Sequence, residues 1–219
     1  MDHAENELLT RVAPGTAAGE TLRKYWLPVG LSSEVNSEAP KLVRWLGEDL
    51  LLFRDEFGHV GLTEPTCPHR GASLDYGWIE AGGIRCCYHG WVFDVNGRCL
   101  EQPGEPPGSN FKDKITLKAY PARELGGMIW AYMGSGQPPV LPNYHFLARD
   151  DGERQFSGYV RECNYMQQLE NALDPVHATI LHGRAVHGLP AAPEWMETPD
   201  FNVVATETMA YYVARRKGP

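Results

Sequence analysis

Two short segments that each combine cysteine with histidine constrain the fold of this 219-residue chain more than any other feature. The first is Cys67–Gly71, with the sequence CPHRG, and the second is Cys86–Trp91, with the sequence CCYHGW. A [2Fe–2S] cluster that takes two cysteines on one iron and two histidines on the other requires such a set. Glycines at the ends of both segments let the backbone approach the cluster and donate N–H groups to it. The fold must therefore bring these two segments together.

A structural zinc site is the alternative use of two cysteines and two histidines. Zinc sites of this composition usually take both cysteines from one segment and both histidines from another, whereas each segment here mixes the two types. The five cysteines are odd in number and two of them are adjacent, which argues against a disulfide framework. The spacing therefore favours the cluster over zinc. Cys87 and Cys99 are expected to be packing residues.

The CPHRG and CCYHGW segments resemble the Rieske domain of ring-hydroxylating oxygenases, and the resemblance extends from the LRKYWLP segment at residues 22–28 to Arg184. It points to the oxygenase (alpha) subunits of the phthalate dioxygenase-like branch. The resemblance implies that Cys67 and Cys86 bind one iron of the cluster and that His69 and His89 bind the other.

The surroundings of the cluster differ from those in respiratory-chain Rieske proteins. Those proteins carry a disulfide beside the cluster, at positions that correspond to Ala72 and Tyr88 here. They also carry a hydroxyl that donates to a cluster sulfur, and Trp91 stands in its place. Because fewer donors stabilise the reduced state less, we expect a potential near the low end of the Rieske range of about −150 to +300 mV. Trp91 is expected to shield the cluster.

A second candidate site is the pattern Asp174-x₂-His177-x₄-His182. Two neutral imidazoles and one carboxylate on one face of Fe(II) leave positions open for O₂ and substrate. On one continuous helix Glu170, Asp174 and His177 share a face, but His177 and His182 lie roughly 140° apart. The two histidines can therefore reach one metal only if the helix bends or ends between them, and Gly183 makes a helix end plausible.

This second pattern also has ordinary structural explanations. Asp174 followed by Pro175 is typical of a helix start, and the histidines could be partly buried residues bonded to backbone. The resemblance implies instead that His177 and His182 bind a mononuclear iron. It also implies that Asp174 links a Rieske histidine of a neighbouring subunit to that iron. The family's third iron ligand is an aspartate further along its chain; Asp200 lacks the matching context, so the third ligand stays unassigned.

The apolar pattern predicts an α+β chain. Short helices are expected at 4–12 and 16–26 in an N-terminal helical clasp, 1–27. Strand-sized apolar runs separated by turn signals predict an antiparallel β Rieske domain at 28–140. Its predicted strands are 41–46, 50–54, 59–63, 91–94, 115–119 and 127–133.

The proline-rich stretch after this domain reads as a linker, with a boundary near 138–150. Beyond it we predict a strand at 154–162, a helix from about Asn164, and strands at 201–206 and 209–215. By resemblance, 150–219 is the N-terminal portion of an α+β, helix-grip-like catalytic domain that is incomplete in this chain.

Charge and hydropathy exclude some classes of partner. With 20 Lys and Arg against 28 Asp and Glu, the formal charge of −8 argues against nucleic-acid binding. No stretch approaches the roughly 18 apolar residues of a membrane-spanning helix, and the acidic N-terminus is unlike a secretory signal. We therefore expect a cytoplasmic protein.

The resemblance implies an oxygenase component that acts on an aromatic or cyclic substrate with O₂. The cofactors would be a [2Fe–2S] cluster and mononuclear Fe(II). Electrons would come from an NAD(P)H-dependent flavin/iron–sulfur reductase or a ferredoxin, and a homotrimer would allow transfer between subunits. The reaction would be dihydroxylation, hydroxylation or O-demethylation. The alternative is a Rieske-type electron carrier, or an inactive fragment, without oxygenase chemistry of its own.

Overall fold

The computed structural model describes residues 2–149, 151–177, 181, 198–207 and 210–216. The chain divides into two units, Met1–Val160 and Arg161–Pro219. This division lies later than the boundary near 138–150 expected from the proline-rich stretch. The predicted α+β class is confirmed, because antiparallel sheets predominate and the helices are few and short.

Two helices begin the first unit, as predicted, but both are shorter than expected. Helix α1 (His3–Thr10) starts with a capping box between Asp2 and Glu5. Helix α2 (Ala17–Leu22) starts at Thr16, whose hydroxyl accepts from the Gly19 N–H. The second helix ends early because the chain leaves it for a strand that starts at Trp26.

Three antiparallel sheets form the body of the first unit. Their strands are β1 (Trp26–Leu31), β2 (Lys41–Trp45), β3 (Glu48–Arg54), β4 (Val60–Thr63), β5 (Trp78–Glu80), β6 (Gly83–Arg85), β7 (Val92–Phe93), β8 (Cys99–Glu101), β9 (Ala119–Tyr120), β10 (Ala122–Leu125) and β11 (Met128–Tyr132). The first sheet has the order β1-β11-β10, the second β2-β3-β4-β9 and the third β5-β6-β7-β8.

Strand β3 separates two hydrophobic cores, because successive side chains of a strand point to opposite faces. Leu51 and Phe53 pack in the core that contains Cys67 and Cys86. Leu50 and Leu52 pack in a second core, with side chains from β1, β4 and β11. The apolar run at 50–53 is therefore buried on both faces, and it holds the cysteine segments against the rest of the unit.

Some strand predictions were wrong. The predicted strand 115–119 is only an isolated bridge between Thr116 and Arg98, followed by β9. The 3₁₀ turn Phe111–Lys114 precedes it, and the Leu117 N–H then donates to the Gly97 carbonyl at 2.7 Å. The predicted strand at 154–162 has no regular structure and is exposed. A short helix, α3 (His145–Ala148), was not predicted.

The second unit contains a helix and a hairpin in its described part. Helix α4 (Tyr165–Leu173) begins as predicted, at Asn164, whose side chain accepts from the Met166 N–H. Strands β12 (Asp200–Ala205) and β13 (Ala210–Arg215) pair antiparallel, close to the predicted ranges. No helix among the described residues is long and apolar enough to cross a membrane.

Candidate metal centre

The two cysteine–histidine segments form two loops with the same backbone hydrogen bonds. In the first loop (Cys67–Gly71), the Gly71 N–H donates to the Cys67 carbonyl at 3.0 Å, and the Cys67 N–H donates to the Ala72 carbonyl at 2.8 Å. In the second loop (Cys86–Gly90), the same two bonds occur at the same distances, from Gly90 to Cys86 and from Cys86 to Trp91.

Each loop ends at a glycine in the left-handed region. Gly71 and Gly90 both have φ of +71°, a conformation that side-chain-bearing residues rarely adopt. This turn lets each loop fold back beside its own cysteine. The flanking glycines noted in the sequence are therefore required by the loop geometry.

The structure brings the four predicted cluster ligands together as two pairs. Cys67 and Cys86 are buried free cysteines in the same hydrophobic core, where burial and the Cys86 thiol raise the pKa of Cys67. The ring centroids of His69 and His89 lie 4.4 Å apart. In the part of the chain that the structure describes, no three His, Cys, Asp or Glu side chains are grouped to hold a single metal ion. A two-iron cluster divides its ligands two and two, and the thiol pair and imidazole pair suit that division.

Burial affects the protonation of two of these candidate ligands. Burial and the neighbouring Cys86 thiol raise the pKa of the Cys67 thiol to about 11, although the backbone N–H groups of His69 and Arg70 favour its thiolate. Burial and the adjacent His89 lower the pKa of His69. The Nδ1 atom of His69 is buried without a hydrogen-bond partner among the described residues. A buried nitrogen of this kind is one that a metal ion can satisfy, so these residues fit the cluster.

Aromatic side chains cover both imidazoles. The buried Trp91 indole stacks on His69, with ring centroids 4.5 Å apart and planes inclined by 4°. Tyr88 covers His89 with its centroid at 3.9 Å and is largely exposed. Trp91 therefore shields the candidate centre from the core side. Cys99 is buried, as expected of a packing residue, but the same prediction for Cys87 was wrong: Cys87 follows Cys86 directly in the loop and is exposed.

At the second candidate site, the helix ends earlier than the sequence suggested. Helix α4 stops at Leu173, with Asp174 as its C-cap, so Glu170, Asp174 and His177 do not share one continuous helix. Asp174 instead caps the next turn, because its Oδ1 accepts from the N–H groups of Val176 at 2.7 Å and His177 at 3.4 Å. The predicted helix-start geometry is therefore present, but it follows a break at Asp174 itself.

The structure also brings Asp174 and His177 into side-chain contact. The Oδ2 atom of Asp174 lies 3.3 Å from Nδ1 of His177. Hydrogen bonds from the Val176 and His177 N–H groups hold the pKa of the Asp174 carboxyl below its ordinary value. His182 lies outside the described residues. Asp200, which has no assigned role, is exposed at the start of β12.

Sequence reasoning missed a repeated turn. Asp55 and Asp94 are buried and begin two similar turns, at residues 55–59 and 94–98. Each carboxylate accepts two backbone N–H groups of its own turn, at 2.8–2.9 Å. The shared pattern Asp-x-x-Gly is visible in the sequence and could have revealed the pair.

The comparisons with known proteins give the family. Residues 25–121 match the family described as "Rieske [2Fe-2S] domain", and this range contains both ligand loops. The 5,5'-dehydrodivanillate O-demethylase oxygenase subunit of Sphingobium sp. is 47% identical over 81% of this chain and 43% of its own length. The phenoxybenzoate dioxygenase subunit alpha of Ectopseudomonas oleovorans is 42% identical over 95% of this chain and 54% of its own length. The phthalate 4,5-dioxygenase oxygenase subunit of Pseudomonas putida is 41% identical over 81% of this chain and 41% of its own length.

Solved structures agree with these relatives. Dicamba monooxygenase bound to dicamba superposes with a TM-score of 0.71 at 27% identity, over 85% of this chain and 54% of that one. The reduced oxygenase–ferredoxin complex of carbazole 1,9a-dioxygenase gives a TM-score of 0.63 at 29% identity, over 85% of this chain and 48% of the matched chain.

The chain spans about half the length of the curated relatives it matches. The family carries a mononuclear iron at its catalytic site in addition to the Rieske cluster. The match to the Rieske domain overturns the zinc alternative. The chain thus contains a Rieske [2Fe–2S] domain, and over this domain and beyond it the chain is similar to the oxygenase subunits of Rieske ring-hydroxylating oxygenases.

Proposed function

We propose that this chain serves in the oxygenase component of a Rieske non-haem iron system. One observation carries the proposal: the two ligand loops of the Rieske domain bring their cysteines together as one pair and their histidines together as another. The rival function, an electron carrier or an inactive fragment, leaves the Asp174–His177 contact in the second unit without a role.

In the first unit, Cys67 and Cys86 would hold one iron of the cluster, and His69 and His89 would hold the other. The burial of both cysteines and the unpartnered Nδ1 of His69 support this assignment. When bound, the cluster supplies one-electron transfer. The first loop contributes the His69 and Arg70 N–H groups near the Cys67 sulfur, and the Trp91 indole covers one face of the His69 ring.

In the second unit, His177 and His182 would hold the mononuclear iron, which supplies the centre for O₂ chemistry when bound. Asp174 would accept an N–H from His177 and connect it to a cluster histidine of a neighbouring subunit. The 3.3 Å approach of Asp174 Oδ2 to His177 Nδ1 supports the first half of this connection. The third ligand stays unassigned.

The substrate and partners follow from the relatives. Their names include an O-demethylase and dioxygenases for phenoxybenzoate and phthalate, which supports hydroxylation, dihydroxylation or O-demethylation of an aromatic compound. A similar structure in complex with a ferredoxin supports a ferredoxin as electron donor, and the NAD(P)H-dependent flavin/iron–sulfur reductase stays a prediction. The homotrimer and the cytoplasmic location stay predictions.

The test is an EPR spectrum of the iron-reconstituted, anaerobically reduced protein, recorded before and after addition of nitric oxide. We expect a Rieske signal before addition and a high-spin ferrous nitrosyl signal after it. The nitrosyl signal should disappear in His177→Ala and persist in His3→Ala, a control on the exposed helix α1. A Rieske signal without the nitrosyl signal would favour the electron carrier or fragment. No Rieske signal at all would overturn both functions.

A further inference from the structure

The second ligand loop is held by a side chain that the first loop lacks. Arg85 ends strand β6 and directly precedes Cys86. Its Nη1 donates to the carbonyl of Gly90 at 2.7 Å, so it joins the beginning of the loop to its end. The Arg85 side chain is 22% exposed.

Two carboxylates orient this guanidinium. Arg85 Nε donates to Glu80 Oε1 at 2.5 Å, and Nη2 donates to Glu101 Oε2 at 2.6 Å. Hydrogen bonds from both carboxylates, with that of Glu80 the larger influence, raise the pKa of Arg85 well above its ordinary value. The planar guanidinium uses three separate N–H directions for three acceptors, a geometry that a lysine ammonium does not reproduce.

The sheet register explains how Arg85 reaches both acids. Arg85 pairs with Val92 on β7, and Val92 pairs in turn with Glu101 on β8, so the three side chains form a row across the sheet. Val92 is small and buried, and the longer Arg85 side chain spans this row to Glu101. Glu80 belongs to β5 on the other side. The pairing of strands β5 to β8 therefore determines where the guanidinium lies.

The first loop has no equivalent contact. No side-chain donor reaches the Gly71 carbonyl among the described residues, and a Cβ added at Gly71 would meet no atom within 4 Å. At Gly90 an added Cβ would lie 3.2 Å from Pro103 and 3.6 Å from Arg85 Nη1. The backbone bonds of the two loops are the same, so the side-chain contact at Gly90 is the difference between them.

We propose that Arg85 is a positioning residue for the second ligand loop. By holding the Gly90 carbonyl, it fixes the Gly90–Trp91 peptide, one residue after His89, and thereby restricts the direction of the His89 ring. This proposal rests on the proposed ligand roles of Cys86 and His89. Glu80 and Glu101 act through Arg85, because each binds the guanidinium rather than the loop.

The experiment compares Arg85→Met with a matched control, Arg54→Met. Arg54 is 18% exposed and makes the same kinds of bond to residues outside both ligand loops: to the Gly58 carbonyl at 3.1 Å, to the Val35 carbonyl at 2.9 Å and to Glu124 at 2.7 Å. Both variants lose an arginine that ties a turn glycine to a glutamate. Only Arg85→Met should change the EPR spectrum of the cluster and the rate at which it is lost.

The readouts are the EPR g-anisotropy of the reduced cluster and the rate at which an iron chelator bleaches its visible absorption. We expect Arg85→Met to shift the g-values and to lose the cluster about tenfold faster than wild type, the factor that corresponds to one charge-assisted hydrogen bond. Arg85→Lys should lie close to Arg85→Met. Arg54→Met should keep the wild-type g-values and bleaching rate even if its melting temperature falls.

Equal g-values and equal bleaching rates in Arg85→Met and wild type would overturn the positioning role. If Arg85→Met does not fold, Glu101→Gln serves as the second variant, because it weakens the orientation of Arg85 and leaves the loop bond in place. It should shift the g-values in the same direction by less, and unchanged g-values would overturn the proposal. A wild-type protein without a Rieske signal would contradict the proposed function itself.

Discussion

Replacing Glu48 by glutamine should strongly destabilise the first unit. Glu48 Oε1 accepts from Arg23 and from the Tyr120 hydroxyl, each at 2.7 Å, and Oε2 pairs with Lys118. Arg23 also donates to the carbonyls of Val12 at 3.0 Å and Leu46 at 2.9 Å, so it ties the N-terminal helices to the sheet. The Arg23 and Glu48 side chains are only 6% and 14% exposed.

The expected cost is about 3 kcal/mol. Removing one partner of a buried ion pair costs about 3–5 kcal/mol, because the other charge stays buried without compensation. The lower end applies here because Arg23 keeps its three carbonyl acceptors, on Val12, Gly19 and Leu46. Asp49→Asn is the control, since the Arg44–Asp49 pair is about two-thirds exposed on both sides and should be worth less than about 1 kcal/mol.

Urea denaturation followed by circular dichroism measures both variants. We expect the midpoint of Glu48→Gln to fall well below that of Asp49→Asn, with the slope unchanged. If both variants lose the same small amount of stability, burial does not set the strength of these ion pairs and the reasoning is refuted.

The same network has a defined pH dependence. Burial alone would raise the pKa of Glu48, but hydrogen bonds from Lys118, Tyr120 and Arg23 outweigh it and hold the pKa below its ordinary value of 4.5. A carboxyl with a lowered folded-state pKa stabilises the fold above its unfolded pKa, and this contribution is lost as the pH falls through the folded value. The difference between wild type and Glu48→Gln should therefore be full at neutral pH and shrink below about pH 4.5.

Three further predictions concern the two sites and the repeated turn. Redox titration should give a midpoint in the lower part of the range of about −150 to +300 mV, because Trp91 occupies the position of a sulfur-bonding hydroxyl; a clearly positive midpoint would contradict this. Asp174→Asn should keep the spectra of both iron sites but slow reductase-supported, substrate-dependent oxygen uptake severely; normal uptake would exclude the bridging role. Asp94→Ala should lower the free energy of unfolding by about 2 kcal/mol, because two turn N–H groups lose their acceptor. A free energy of unfolding equal to that of wild type in urea denaturation would contradict this.

The parts of the fold that could be predicted are those with a strong local pattern. The run Leu50–Phe53 and the turn glycines before and after it identified β3, and Asn164 identified the start of α4. Strands β5, β6 and β8 have only three residues each, too few to show alternation. The helix start at Asp174 and Pro175 was predicted, but the end of α4 just before it was not, because helical spacing continues through Asp174 in the sequence while its side chain accepts from the next turn.

The ligand loops were predictable because their spacing and residue types serve one kind of chemistry. Their support was not predictable, because it depends on sheet register. That Arg85 lies beside Glu101 follows only from the pairing of both residues with Val92. The stacking of Trp91 on His69 likewise requires the two loops to be placed first. Contacts between residues distant in sequence were therefore the part that sequence reasoning could not supply.

The central claim is that Cys67, Cys86, His69 and His89 share a two-iron cluster two and two. Pulsed EPR on the reduced protein, labelled with ¹⁵N only at histidine, measures this directly. We expect two strongly coupled histidine nitrogens, one of which disappears in His69→Cys and one in His89→Cys. Coupling to no histidine nitrogen, or spectra unchanged by both substitutions, would contradict the account.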